Sequence, residues 1–359
     1  MTILLLLAGI ILLIVGAEAL VRGASRIATA IGISPLVVGL TVVAFGTSSP
    51  ELAVSLMSSF SGNVDIAVGN VVGSNIFNVL FLLGLTALIV PLIVAQQLIW
   101  FDVPITIGIS FLMLALGWDG RLSRIDGLLL FSILIAYNLF LIRQSRKEKS
   151  VLVQVQYEQQ FKDRNNKRWM INLALVALGL AMLILGSRWL VQSATIIAKD
   201  LGLSDLIIGL TVVAAGTSLP EVATSLIASL RGERDIAVGN AIGSCIFNIL
   251  AVLGLSALIA PKGIPVSAAA LQFDIPIMIA AAIACLPIFF TGHRISRWEG
   301  AVFLAYYIAY TVYLILAATE HKNLHVFDTA MIWFVIPLTL FTIFATVVRA
   351  IWQGNTNAS

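Results

Sequence analysis

Residues 44–84 read AFGTSSPELAVSLMSSFSGNVDIAVGNVVGSNIFNVLFLLG, and residues 214–254 read AAGTSLPEVATSLIASLRGERDIAVGNAIGSCIFNILAVLG. At a constant offset of 170, with no gap, the two stretches share 25 identities in 41 positions. The register runs back through Gly16/Gly186 and forward to Pro91/Pro261. Self-similarity of this length marks an internal duplication. It divides the chain into halves at 1–145 and 169–320, joined by the segment 146–168.

Composition sets the environment of both halves. Of 359 residues, 60% are hydrophobic and 11% charged, with a mean hydropathy of +1.03, far from the balance of a soluble domain. The expected class is an all-α polytopic membrane protein. With roughly 20 residues needed to cross the hydrocarbon, candidate spans fall at 2–28, 35–60, 66–90, 97–117, 124–143, 169–198, 204–230, 236–260, 269–291, 297–318 and 329–352. That is eleven spans, five in each half and one extra at the C-terminal end. The apolar start has no basic residue ahead of it and no small-residue cleavage site, so it reads as a retained span rather than a signal peptide.

An odd number of spans per half means that the second half enters the membrane from the opposite side. The halves are therefore expected to be inverted five-helix repeats, a construction common among secondary transporters, which seat their substrate where the halves meet. Segment 146–168 and its flank carry Arg143, Arg146, Lys147, Lys149, Lys162, Arg164, Lys167 and Arg168, eight of the 21 Lys and Arg residues. This basic loop is expected to be cytoplasmic, which puts the N-terminus outside and the C-terminus in the cytoplasm. The basic residues form no stripe for nucleic acid. Cys245 and Cys285 lie within spans without metal-ligand spacing, so neither a disulfide framework nor a zinc site is suggested.

The polar residues inside the apolar runs carry the chemistry. A charge at the centre of a membrane helix costs about 2.5–3.5 kcal/mol on insertion scales, so Glu51 and Glu221 need a function. Pro50 and Pro220 should break each span just before its Glu, freeing carbonyls at Ala44, Phe45, Ala214 and Ala215. Thr47 and Glu51 are four apart and share a helix face, with Ser48 beside them. Ser74 and Asn78 repeat that spacing on the next element, as do Ser244 and Asn248. Hydroxyl, amide and carboxylate oxygens without imidazole or thiol suit a hard cation such as Ca2+.

Other features have plainer readings. GNVVG at 69–73 and GNAIG at 239–243 allow close helix packing. Asp65 and Asp235 read as helix N-caps, as do Asp102 and Asp274 in FDVPI (101–105) and FDIPI (273–277). Glu18 and Arg22 read as a local ion pair.

GTSSPELAVSLMSSF with DIAVGNVVGSNIFN, and GTSLPEVATSLIASL with DIAVGNAIGSCIFN, resemble the two alpha repeats of the Ca2+:cation antiporter superfamily, the sodium/calcium exchangers, in their compact prokaryotic form. The resemblance covers ten spans and leaves the eleventh aside. It implies Glu51 and Glu221 as central bidentate Ca2+ ligands, oxygens from Thr47 and Thr217, and carbonyls from Ala44 and Ala214. It implies Ser48, Ser74, Ser218 and Ser244 at flanking Na+ sites, with Asn78 and Asn248 in the middle. Where relatives carry Asp at the position of Asn248, K+ dependence or a protonatable site is implied, so Asn248 leans toward K+ independence. Cys245, which stands where the first repeat has Asn75, marks a less constrained position that leaves this ligand set intact.

The expectation is electrogenic Na+/Ca2+ antiport by alternating access, in a prokaryotic inner membrane. Spans 1 and 6 would slide over a core of spans 2, 3, 7 and 8. Inorganic cations and the bilayer are the only partners, a monomer suffices for transport, and no cofactor is called for. An H+/Ca2+ or K+-dependent antiporter of the same superfamily stays open, as does a cation channel. His293, His321 and His325 lie at span ends away from the serines, so no hydrolase constellation emerges.

Overall fold

A computed structural model describes residues 2–60, 65–147, 169–321, 323–342, 344 and 348. The expected basic loop at 146–168 lies outside them apart from its first two residues. The fold is all-α and polytopic. Thr2–Ile31 forms α1, and Pro35–Thr47 and Ser49–Phe60 form α2 and α3, a pair bent by 45°. Ile66–Ile89 is α4, Leu98–Leu116 α5, Arg124–Lys147 α6 and Trp169–Asp200 α7. Residues 205–216 make α8 and Leu219–Leu230 α9. Arg234–Ile259 is α10, Ala270–Phe290 α11, Arg297–Ala318 α12 and Leu324–Thr342 α13.

Among the described residues nine helices are long and apolar enough to cross a bilayer, and α2 with α3 makes a tenth if counted as one bent span. The expected span at 204–230 is not one rod, because it divides at Thr217–Ser218 into pieces too short to cross alone. The last helix starts at Leu324, earlier than the expected 329.

The two breaks share a local cause. Ser48 has φ −82° and ψ 8° and Ser218 has φ −90° and ψ 6°. Each is followed two residues later by a proline that cannot supply the amide a continuous helix needs. Pro50 and Pro220 instead sit near the start of the following helix, where the missing N–H costs nothing. The helices also widen into π turns at Gly39–Val43, Phe77–Leu83 and Leu98–Asp102, and again at Gly209–Val213, Asn248–Leu253 and Ala270–Asp274. Such widenings are frequent at functional sites.

Helices α4 and α10 form the centre, whereas α12 and α13 bury almost nothing and face outward. Helix α1 lies along α7. Where they cross, a Cβ on Gly179 would stand 2.7 Å from the Gly16 carbonyl, so only glycine permits the approach. Two short antiparallel ribbons tie the halves together: β1 (Leu92–Ile93) pairs with β4 (Arg294–Ile295), and β2 (Arg121–Leu122) with β3 (Ile264–Pro265).

Three of the plainer expectations change. Asp102 is itself helical, at φ −73° and ψ −39°, and caps nothing. Its carboxylate instead accepts from Tyr137 Oη at 2.9 Å and Gln97 Nε2 at 3.1 Å, which satisfies a buried charge from the neighbouring helix. Asp274 likewise accepts from Tyr310 Oη at 2.9 Å. Asp235 lies inside the first turn of α10, and Glu233, which holds the position before the helix, makes no side-chain capping bond. Asp65 opens its helix, and its side chain lies outside the described set. Glu18 does pair with Arg22, and also with Arg231 beyond the end of α9.

Candidate functional site: a paired-carboxylate cation centre

Glu51 lies in the first turn of the helix after the first break and Glu221 in that after the second; both are fully buried. Each is held from the opposite half. Ser48 Oγ donates to Glu221 Oε1 at 2.7 Å, and Ser218 Oγ donates to Glu51 Oε1 at 3.0 Å. Because the serine at each break turns its hydroxyl to the carboxylate of the opposite half, the breaks bring the two acids into one centre.

The backbone around each Glu is pinned by an asparagine of the following helix. Asn240 Nδ2 donates to the Glu221 carbonyl at 3.3 Å and to Ser225 Oγ at 2.9 Å. Asn70 Nδ2 does the same for the Glu51 carbonyl at 3.2 Å and Ser55 Oγ at 3.0 Å. GNVVG and GNAIG thus hold bracing side chains as well as small residues. The packing expectation is met at GNAIG, where a Cβ on Gly243 would stand 2.7 Å from Leu40 Cα, and fails at GNVVG, where Gly69 and Gly73 face open space. The bracing was not foreseen, although the asparagines recur at the same offset as the glutamates.

A second oxygen on each acid has no hydrogen-bond partner, namely Glu51 Oε2 and Glu221 Oε2. The same holds for Ser74 Oγ, Ser244 Oγ, Thr217 Oγ1, Asn248 Oδ1 and both polar atoms of Asn78. Ser244 and Thr47 lie against the Glu221 carboxylate, and Thr217 lies against that of Glu51. Buried polar atoms are normally paired, and leaving one unpaired costs about 1–3 kcal/mol. Partnerless oxygens on both carboxylates, with Thr217 beside one and Ser244 beside the other, are what a desolvated cation would satisfy. Among the described residues no group of three or more His, Cys, Asp and Glu side chains comes together. The formal charge available is therefore that of two carboxylates, and the other candidate ligands are neutral oxygens.

Ala44 behaves differently from expectation. Its carbonyl accepts the Ser48 amide at 3.0 Å and lies 3.4 Å from Thr47 Oγ1, so the proline does not free it. The group Pro50 deprives of a helical donor is the Gly46 carbonyl, one turn back. The Phe45 carbonyl accepts from Ser49 Oγ at 2.9 Å and that of Ala215 from the Ser218 amide at 3.2 Å. Ala214 lies in the last turn of α8, just before the second break.

The two sides of the centre are not equally covered. Helix α2 packs on α10, where a Cβ on Gly39 would stand 3.0 Å from the Ile236 carbonyl and Ile236 is 0% exposed. On the other side Gly209 has open space at its Cα, and Ile66 is 49% exposed. Thr47 Oγ1 donates to Asn240 Oδ1 at 3.0 Å, while the corresponding Thr217 Oγ1 has no partner. The 205–213 segment therefore stands off α4 on one side of the site. On the other side the centre is closed, and Ser25 Oγ of α1 donates to Glu233 Oε1 at 2.8 Å.

The family described as sodium/calcium exchanger protein matches residues 1–143 and 171–316. The sodium/calcium exchanger MaX1 of Methanosarcina acetivorans is 35% identical over 343 residues, covering 87% of this chain and 97% of the relative. The inner membrane protein YrbG of Escherichia coli is 38% identical over 292 residues, covering 79% and 87%. Among solved structures, the sodium-calcium exchanger NCX_Mj superposes with a TM-score of 0.73 at 33% identity, over 86% of this chain and 96% of that one.

Proposed function

The chain belongs to the sodium/calcium exchanger family, and from that premise we propose that it exchanges Na+ for Ca2+ at one shared centre built on Glu51 and Glu221. At the coarser level it is a transporter, an integral membrane cation/Ca2+ antiporter, and its relatives are exchangers rather than enzymes. The observation that supports the finer reading is the pair of buried carboxylates, each bonded by the serine of the opposite half and each left with one partnerless oxygen. Glu51, Glu221, Thr47 and Thr217 would hold Ca2+. Ser48, Ser74, Ser218 and Ser244 would add Na+ positions, with Asn78 and Asn248 between them. Ala44 and Ala214 would contribute carbonyls, Ala44 through a lone pair left over from its helical bond.

Charge then dictates the mechanism. One Ca2+ neutralises the two carboxylates, whereas three Na+, the number implied by family resemblance, leave the centre at +1. Both ions need the same acids, so each displaces the other, and competition enforces antiport. The exposed face beside Gly209 and Ile66 would admit ions, and the closed face beside Gly39 and Ile236 would open in the alternate state. With the basic loop in the cytoplasm, the exposed face is the outer one. The two halves would be inverted five-span repeats, active as a monomer in a prokaryotic cytoplasmic membrane.

The test is uptake of radiolabelled Ca2+ into proteoliposomes loaded with Na+, with K+, or with acidic Na+-free buffer. Uptake that requires internal Na+ supports the reading. Uptake that follows the proton gradient and ignores Na+ replaces it with H+/Ca2+ antiport.

A further inference from the structure

Asn75 stands where the sequence repeat breaks, because the equivalent position in the second half is Cys245. Its side chain is buried and fully engaged within the protein. Asn75 Nδ2 donates to the Cys245 carbonyl at 3.2 Å and lies 3.6 Å from Met278 Sδ. Its Oδ1 accepts from Asn248 Nδ2 at 3.1 Å. Asn248 Oδ1 is then left buried with no partner.

These bonds have a direction fixed by chemistry. A backbone carbonyl can only accept, so the amide group of Asn75 must turn its NH2 toward Cys245. Its oxygen is then forced toward Asn248, which must answer with its own NH2. Turning Asn75 over would set two acceptor oxygens against each other at the Cys245 carbonyl. The orientation of Asn248 thus follows from a fixed acceptor rather than from a choice between near-identical amide ends. In the first half the equivalent of this relay is missing: Cys245 Sγ reaches the Asn75 carbonyl at 3.8 Å, and both polar atoms of Asn78 are unpaired.

We infer that Asn75 is a positioning residue for cation binding: it fixes the Asn248 amide so that Oδ1, not the NH2, faces the ion centre, while Asn78 stays free to turn. This rests on the proposed function only in taking Asn248 to face a transported cation. An amide NH2 repels a cation as firmly as the oxygen attracts it. Losing the relay therefore weakens binding without touching a carboxylate. It also gives the two middle positions different properties within a near-symmetric site.

The test is a double-mutant cycle. Asn75→Leu, which preserves volume, and Asn75→Ala are each placed in the native background, in Asn248→Asp and in Asn248→Ala. Half-saturating Ca2+ and Na+ and the maximal rate are measured in proteoliposomes, and ion-induced thermal shifts in detergent. In the native background the half-saturating concentration of at least one cation should rise about 3–10-fold, the scale of one lost polar contact, with a smaller change in maximal rate. In Asn248→Ala, which has no amide to orient, the shift should fall below about twofold, and in Asn248→Asp, whose carboxylate meets the Asn75 Oδ1 as a second acceptor, it should vanish or reverse in sign. An equal shift in all backgrounds, or none in the native one, would overturn the inference. Glu51→Gln runs alongside: if it still transports, the shared-site reading fails, whereas an inactive Glu51→Gln with an unshifted Asn75→Leu refutes the relay alone.

Discussion

Ser48 donates to Glu221 at 2.7 Å across the boundary between the two halves, and Ser218 returns the bond to Glu51 at 3.0 Å. Each carboxylate is oriented by a hydroxyl that sits at the helix break of the other half. A hydrogen bond to a charged group contributes about 1.5–3 kcal/mol. Ser48→Ala or Ser218→Ala is therefore expected to raise the half-saturating Na+ concentration by about tenfold or more. Initial rates of Na+-driven Ca2+ uptake against Na+ concentration check this.

The asparagine braces should matter to stability in unequal degree. Asn240 is buried and bonds the Glu221 carbonyl, Ser225 and Thr47. Asn70 is half-buried and, among the described residues, its side chain bonds the Glu51 carbonyl and Ser55. Asn240→Ala leaves more groups unpaired and should cost about 2–4 kcal/mol, against about 1 kcal/mol for Asn70→Ala. Thermal unfolding of the purified protein in detergent ranks the two. Equal losses would mean that Thr47 contributes nothing to the brace.

Glycines at equivalent places in α2 and α8 meet different surroundings. A Cβ at Gly39 meets the Ile236 carbonyl at 3.0 Å, whereas Gly209 has open space. Gly39→Val should destabilise the conformation described. Gly209→Val should leave it folded and still able to bind Ca2+, yet slow exchange severely, because the segment could no longer close on α4. Binding by thermal shift together with transport rates separates the two outcomes.

Much of this was legible in the sequence because a duplication repeats what function requires. Glu51 and Glu221 stood out as charges in apolar runs, and the prolines located both breaks to within two residues. Asn70 and Asn240 were hidden by their glycine neighbours, since GNxxG reads first as a packing motif. Asn75 was passed over because its partner position holds Cys245, which makes the site look tolerant there. Asp102 misled because Asp before a Val-Pro pair imitates a cap, and the hydroxyl that satisfies it comes from Tyr137, 35 residues on. Contacts between distant helices leave no local pattern. The open space beside Gly209 likewise has no counterpart in the local sequence, since GLTVV at 209–213 repeats GLTVV at 39–43 letter for letter.

Electrogenic exchange has a sign that can be checked. If three Na+ leave a vesicle for each Ca2+ that enters, one positive charge leaves per cycle, and moving it is worth about 2.3 kcal/mol per 100 mV. An inside-positive potential should therefore accelerate Ca2+ uptake into Na+-loaded vesicles, and an inside-negative one should slow it. Indifference to potential would indicate a neutral stoichiometry.

The central claim, that Na+ and Ca2+ compete for one pair of carboxylates, is tested most directly by Ca2+ uptake measured against external Na+ for the native protein, Glu51→Gln and Glu221→Gln. The half-saturating Ca2+ concentration of the native protein should climb steeply with Na+ at constant maximal rate, and each Gln variant should insert into the membrane yet transport neither ion. Normal exchange in either variant, or Na+ inhibition that lowers the maximal rate and leaves the half-saturating Ca2+ concentration unmoved, would contradict the shared centre.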